Sequence, residues 1–82
     1  MLSLAVVNEM TTDDRMIAFG KRVREVRKGK GISQEKLAEM AGIDRSYMGN
    51  IERGEKNVTL KKVYEICDAL GVEIRDLVQG SD

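Results

Sequence analysis

The sequence predicts an all-α fold of five helices behind a short N-terminal extension. Three observations lead there. None of the 82 residues is proline, so helices can run without interruption. Apolar residues recur at three- and four-residue spacing instead of alternating. Glycines at 29, 31, 42, 54 and 71 follow these stretches where a helix needs a stop, and Ser, Thr or Asp residues precede them where a helix needs a cap.

Residues 1–12 read as the extension. Its apolar run Leu2-Ser-Leu-Ala-Val-Val7 has no basic residue before it and is too short for a secretion signal. It fits either a short element against a neighbour or a flexible start. Residues 13–80 read as one domain, since a chain of this length is too short for two.

The first helix is predicted from about Asp13 to Lys28. Thr12 or Asp13 can cap it, Asp13 and Asp14 suit the positive end of its dipole, and Phe19, Val23 and Val26 mark its buried face. Gly29 and Gly31 end it. The second helix runs from about Gln34 to Met40, with Ser33 as N-cap, Leu37, Ala38 and Ala41 facing inward, and Gly42 as its stop. The third is predicted over Arg45 to Arg53, capped by Asp44 and closed by Gly54. Met48 and Ile51 are its strongly apolar positions, so most of its surface is left outside any core. A polar loop from Glu55 to Val58 leads to Thr59, the cap of a fourth helix with the stripe Leu60, Val63, Ile66, Cys67 and Leu70, which Gly71 closes. A short fifth helix spans about Ile74 to Val78.

Composition removes several kinds of function. The chain has no histidine and a single cysteine, Cys67, which excludes a His general base, a Ser-His-Asp triad and a Cys/His zinc site. The expectation is a protein that is not an enzyme and needs no cofactor, metal or small-molecule ligand. Cys67 falls on the apolar stripe of the fourth helix and reads as core packing. A lone cysteine precludes an intrachain disulfide and suits a reducing cytoplasm. No apolar run approaches the ~18 residues of a membrane span. A core this small makes dimerisation a natural source of added stability.

The formal net charge is zero, but it is polarised. Residues 15–30 carry +6 and residues 45–62 carry +3, whereas residues 1–14, 31–44 and 63–82 carry −3, −2 and −4. Basic blocks in the middle supply the local patch that phosphate contacts need, whatever the total.

Two short helices joined by a tight turn containing glycine, the second largely polar, form a helix-turn-helix over about residues 33–53. Such a helix must stand clear of the body to enter a major groove about 12 Å wide. Ala38 and Gly42 are placed to let the two helices cross closely, with Ile43 and Ile51 setting the angle from beneath.

The segments Ser33-Gln-Glu-Lys-Leu-Ala38, Gly42-Ile-Asp-Arg-Ser-Tyr47, Ile51-Glu-Arg-Gly54, Asn57 to Leu60 and Ala69-Leu-Gly-Val72 resemble the lambda-repressor/Cro (XRE) family of helix-turn-helix regulators. The resemblance covers residues 17–78. Within that family, Asp44-Arg-Ser-Tyr47, Ile51-Glu-Arg-Gly54 and Asn57-Val-Thr-Leu60 are similar to the controller proteins of restriction–modification systems.

The resemblance implies a five-helix DNA-binding domain that regulates transcription from double-stranded DNA, as a homodimer on a near-palindromic operator. It implies that Arg45, Ser46 and Asn50 face bases. Arg can bridge guanine O6 and N7, and Asn can pair with adenine N6 and N7. Gln34 is implied as a phosphate contact together with its helix N-terminus. Tyr47, Arg53, Lys56 and Asn57 are implied as further backbone contacts, with a packed edge as the other role open to Tyr47. Arg27 and Glu52 match a family pair that joins the first and third helices, a structural role. Arg22, Arg24 and Lys28 read as mostly solvated, with room for one of them to reach a phosphate.

Gly49 departs from the family pattern, either letting the helix approach the groove floor or marking a missing contact. Val72, Ile74, Leu77 and Val78 offer more apolar positions than one short helix can bury, and are expected to form the dimer interface, with residues 2–7 as a further contributor. Met40, Met48 and Tyr64 read as core or interface. The alternative is an antitoxin or adaptor whose main activity is binding a protein partner.

Overall fold

Thr11 caps the first helix. Its hydroxyl accepts from the Asp14 amide at 3.0 Å, and the Asp14 carboxylate accepts from the Thr11 amide at 3.3 Å. This capping box satisfies two otherwise orphaned donors reciprocally. In the computed structural model, which describes residues 11–78, five helices follow: α1 (Thr12–Gly29), α2 (Gln34–Ala41), α3 (Arg45–Glu52), α4 (Leu60–Leu70) and α5 (Ile74–Val78). The apolar run at 2–7 and the predicted domain end at 79–80 lie outside the described residues.

Helix number and order match the sequence expectation, and the ends differ by a residue or so. The N-cap of α1 is Thr11, not Thr12 or Asp13, because only Thr11 has an acidic partner three positions on. Helix α2 continues through Ala41 up to Gly42, which adopts φ 69°. Helix α3 ends at Glu52, with Arg53 as its C-cap. Ser33, Asp44 and Thr59 cap α2, α3 and α4 as expected.

The core gathers Val23 from α1, Leu37 and Ala38 from α2, Met48 and Ile51 from α3, Ile66 and Leu70 from α4, and Leu77 from α5. Helix α2 packs on α3 and α4, and α5 closes against α1 and α4. Cys67 is buried in the same cluster, where burial, then Asp68 and Asp76, raise its thiol pKa. A protonated, enclosed thiol is inert, in keeping with a packing role.

Four expectations are corrected. Phe19 and Val26 are only partly buried; the deepest positions of α1 are Gly20, Val23 and Arg27. Leu60 is 62% exposed, because as the first residue of α4 it lies beyond the core that its stripe enters. Gly42 has open space where a Cβ would sit, so it serves the left-handed turn, and of the two it is Ala38 that supplies a small packing surface. Arg22 is not simply solvated: its Nε donates to the Asp76 carbonyl at 2.8 Å, tying α1 to α5.

Gly20 has the opposite character to Gly42. A Cβ there would lie 2.2 Å from the Ile51 carbonyl oxygen and 2.7 Å from that of Glu52. Helix α1 therefore crosses the C-terminal turn of α3 backbone against backbone, at a distance only glycine permits. In an open helix, Gly20→Ala would gain about 1 kcal/mol of helix propensity. Here the clash is with main chain, which cannot rotate aside. We expect Gly20→Ala to destabilise the fold by ~1–3 kcal/mol in urea denaturation; an unchanged or raised midpoint would contradict this packing.

Candidate nucleic-acid interface

Helix α3 is held from one side and open on the other. Asp44 caps it, its carboxylate accepting from the Ser46 amide at 3.0 Å and the Tyr47 amide at 3.3 Å. Met48, Gly49 and Ile51 are buried, whereas Arg45 and Ser46 are exposed and Asn50 half-exposed. The polar excess of this helix thus forms one outward face.

Where that face meets the start of α2, Gln34, Arg45, Ser46, Gly49, Asn50 and Arg53 line a shallow polar depression. Five residues expected from the sequence to contact DNA come together there. Ser33 satisfies the Lys36 amide at 3.0 Å, and the first amides of α2 point out of the helix end. Tyr47, Lys56 and Asn57 lie apart from the depression. The Tyr47 hydroxyl donates to the Asn57 carbonyl at 3.0 Å, and Lys62 Nζ sits 5.1 Å from the Tyr47 ring centroid. The Tyr47 hydroxyl thereby pins the loop after α3. This contact corresponds to the packed edge position, one of the two roles open to Tyr47.

Beneath the depression lies the Arg27–Glu52 pair. Arg27 Nε and Nη2 donate to the two carboxylate oxygens of Glu52 at 2.8 and 3.0 Å, and Arg27 Nη1 donates to the Ile32 carbonyl at 2.9 Å. The two side chains are 9% and 4% exposed, which makes the pair structural, as expected from the sequence. The connection onward to the surface was not foreseen: Gln34 Nε2 donates to Glu52 Oε1 at 3.0 Å. An ion pair between α1 and α3 thus also orients the first side chain of α2.

Arg53, exposed at the end of α3, donates to Asn50 Oδ1, and its Nε donates to Glu55 Oε1 at 3.1 Å. The space above Gly49 is taken by these neighbours. A Cβ there would lie 3.2 Å from Arg53 Nη1 and 3.4 Å from Gln34 Oε1. Gly49 gives room for two polar side chains to fold over the helix, a role beyond the two weighed from sequence. Gly20, Gln34–Glu52 and Arg53–Asn50 were all missed in the sequence. Only Gly20 left a signal, as an interior glycine in an otherwise good helix.

In the C-terminal region, Leu77 is 1% exposed and belongs to the core, which removes it from the expected dimer surface. It is the one apolar residue of α5 that turns fully inward. Val72 and Ile74 are half-buried, and Val78 is 58% exposed. Leu60 and Tyr64, one turn apart on α4, add exposed apolar surface. Among the described residues no helix is long and apolar enough to cross a membrane, and no three acidic, Cys or His groups cluster as a metal site.

A short capped helix, a left-handed glycine turn and an outward polar second helix define a helix-turn-helix protein, and the chain belongs to that family: the helix-turn-helix family HTH_3 matches residues 23–77. Among its relatives is the control protein C.BamHI of Bacillus amyloliquefaciens, 44% identical over 84% of this chain and 85% of its own. The crystal structure of the restriction-modification controller protein C.AhdI from Aeromonas hydrophila superposes with a TM-score of 0.74 at 48% identity, covering 76% of this chain and 94% of that one. SinR, a master regulator for biofilm formation whose structure is a complex with DNA, is 35% identical with a TM-score of 0.69, over 72% of this chain and 95% of its own.

Two stability outcomes follow from this geometry. Arg27→Met should cost about 3–5 kcal/mol, because Glu52 is left buried without its counter-charge, whereas the double change Arg27→Met/Glu52→Met should recover much of that loss. Urea denaturation of the three variants checks this, and equal destabilisation by single and double variants would contradict it. Gly49→Ala should stabilise the fold by up to ~1 kcal/mol and raise the midpoint accordingly, because the exposed Arg53 guanidinium can give way to the new methyl group. A lowered midpoint would show that Arg53 and Gln34 cannot move.

Proposed function

We propose that this protein is a sequence-specific double-stranded DNA-binding regulator of transcription, acting as a homodimer with α3 in the major groove. The observation that carries the proposal is the polar depression, which joins Gln34 at the start of α2 to Arg45, Ser46 and Asn50 on the outer face of α3. Arg45, Ser46 and Asn50 face bases. Gln34, through its remaining Nε2 proton and the adjoining amides, takes a phosphate, as do Arg53, Lys56 and Asn57. Tyr47 contributes by holding the loop that carries Lys56 and Asn57. The protein needs no cofactor and catalyses no reaction.

A single α3 reads few base pairs, so selectivity calls for two copies with their helices ~34 Å apart on a near-palindromic site. The exposed Val78, Leu60 and Tyr64, with the half-buried Val72 and Ile74, support pairing through the C-terminal region. The similarity to C.BamHI and C.AhdI supports the finer reading of a controller of restriction–modification gene expression.

The test is binding to duplex DNA selected from a randomised pool, compared with unselected duplex at several salt concentrations. Affinity should fall steeply with salt, log K dropping by about 0.9 per tenfold salt for each phosphate neutralised. Arg45→Ala should relax the choice of sequence by about 1–3 kcal/mol at one base pair per half-site, while Gln34→Ala should weaken binding to all sequences alike. Equal affinity for selected and random duplex would refute the specific regulator. Sedimentation as a monomer at tens of micromolar would refute the dimer.

A further inference from the structure

We propose that Arg53 is a specificity-determining residue that acts through Asn50, holding its carboxamide with the N–H donors outward so that this position selects guanine over adenine. The inference rests on the reading of Asn50 as a base-facing residue.

A guanidinium carries only donors, so the Asn50 atom that faces Arg53 is necessarily the oxygen. The two residues stand three apart, on adjacent turns of one helix face. Arg53 is itself steadied on its other side, where Nε donates to Glu55 at 3.1 Å. Gly49 leaves open the lane along which the guanidinium lies, since a Cβ there would come within 3.2 Å of Nη1. Asn50 is thus fixed by a charge-assisted bond, stronger than a neutral one.

The base edge decides what such an amide can read. Pairing with adenine requires Asn to accept from N6 and donate to N7 at once. Arg53 takes one of the two lone pairs of the Asn50 oxygen and holds that oxygen back along the helix, so the N–H end is the part of the amide turned toward a base. Guanine offers two acceptors side by side, O6 and N7, and asks nothing of the oxygen. Gln34, in the same depression, is set the other way round. Glu52 carries only acceptors, so it draws in the amide nitrogen, and Oε1 is left toward Gly49. Each amide is oriented by a neighbour of one-sided hydrogen-bonding character, and the two settings are opposite.

The test uses the full-length protein on duplexes selected from a randomised pool, measured one by one by fluorescence anisotropy. Asn50→Ala identifies the base pair per half-site whose identity Asn50 discriminates. At that pair the wild type should prefer G·C to A·T. Arg53→Met should shift the relative affinity toward A·T by about fivefold or more, leaving the preferences at all other pairs unchanged. In the Asn50→Ala background, Arg53→Met should produce no further shift there. Circular dichroism of each variant confirms that the helices persist, and Arg53→Ala gives a second replacement with the same expected shift. A wild-type preference for A·T at that pair, or weakening by Arg53→Met with no change of preference there, overturns the inference and leaves Arg53 a plain phosphate contact. If Asn50→Ala changes no base preference, the base-facing reading of Asn50 fails first, and this inference falls with it.

Discussion

The carboxylate of Glu52 is the point at which three helices are referred to one another. It closes the last turn of α3, accepts both bonds of the Arg27 fork from α1, and accepts the amide of Gln34 from α2. Arg27 in turn satisfies the Ile32 carbonyl just before α2 begins. A buried ion pair adds little net stability beside an apolar replacement of the same volume, since two charges must first leave water. Its consequence here is geometric. The fork has one good way to meet a carboxylate, and that way fixes where α3 ends and which way the first side chain of α2 points.

That pair can form only because α1 comes so close. Gly20 lies against the carbonyls of Ile51 and Glu52. Gly54, with φ 73°, turns the chain away directly over Ile17, where a Cβ would lie 2.6 Å from the Ile17 Cα. The two glycines let a long helix serve as a rigid backing for a short one. Helix α3, eight residues long and with a buried glycine, would be marginal alone. Its burial along Met48 and Ile51, its Asp44 cap and the α1 backing give it a fixed position from which an outward polar face can act.

The surface follows the same logic of fixed donors and acceptors. Charge that sums to zero over the chain is separated along it, with basic residues concentrated in α1 and around α3 and acidic ones toward the C-terminus. Within the basic region, most of the side chains at the depression already have a partner. Gln34 is held by Glu52, Asn50 by Arg53 and Arg53 by Glu55, and outside the depression Tyr47 is held by the Asn57 carbonyl. Preorganised groups lose less freedom when a ligand arrives, and what they can recognise is narrowed beforehand.

The sequence by itself determined what depends on nearby residues. Five helices, the Ser33, Asp44 and Thr59 caps, the Gly42 and Gly71 stops and the surplus polar face of α3 could all be read from spacing and capping chemistry, because those interactions span three or four positions. Resemblance to known regulators added the Arg27–Glu52 pair and the set of residues that meet at the depression. The tertiary structure decided what depends on distance across the fold. It placed Leu77 in the core and Leu60 outside it, made Gly20 a contact and Gly42 only a turn, and tied the Tyr47 hydroxyl to the loop. It also joined Gln34 to Glu52. A helical period says which side chains share a face, but how deep that face sinks, and which donor meets which acceptor, is set only when separate helices pack.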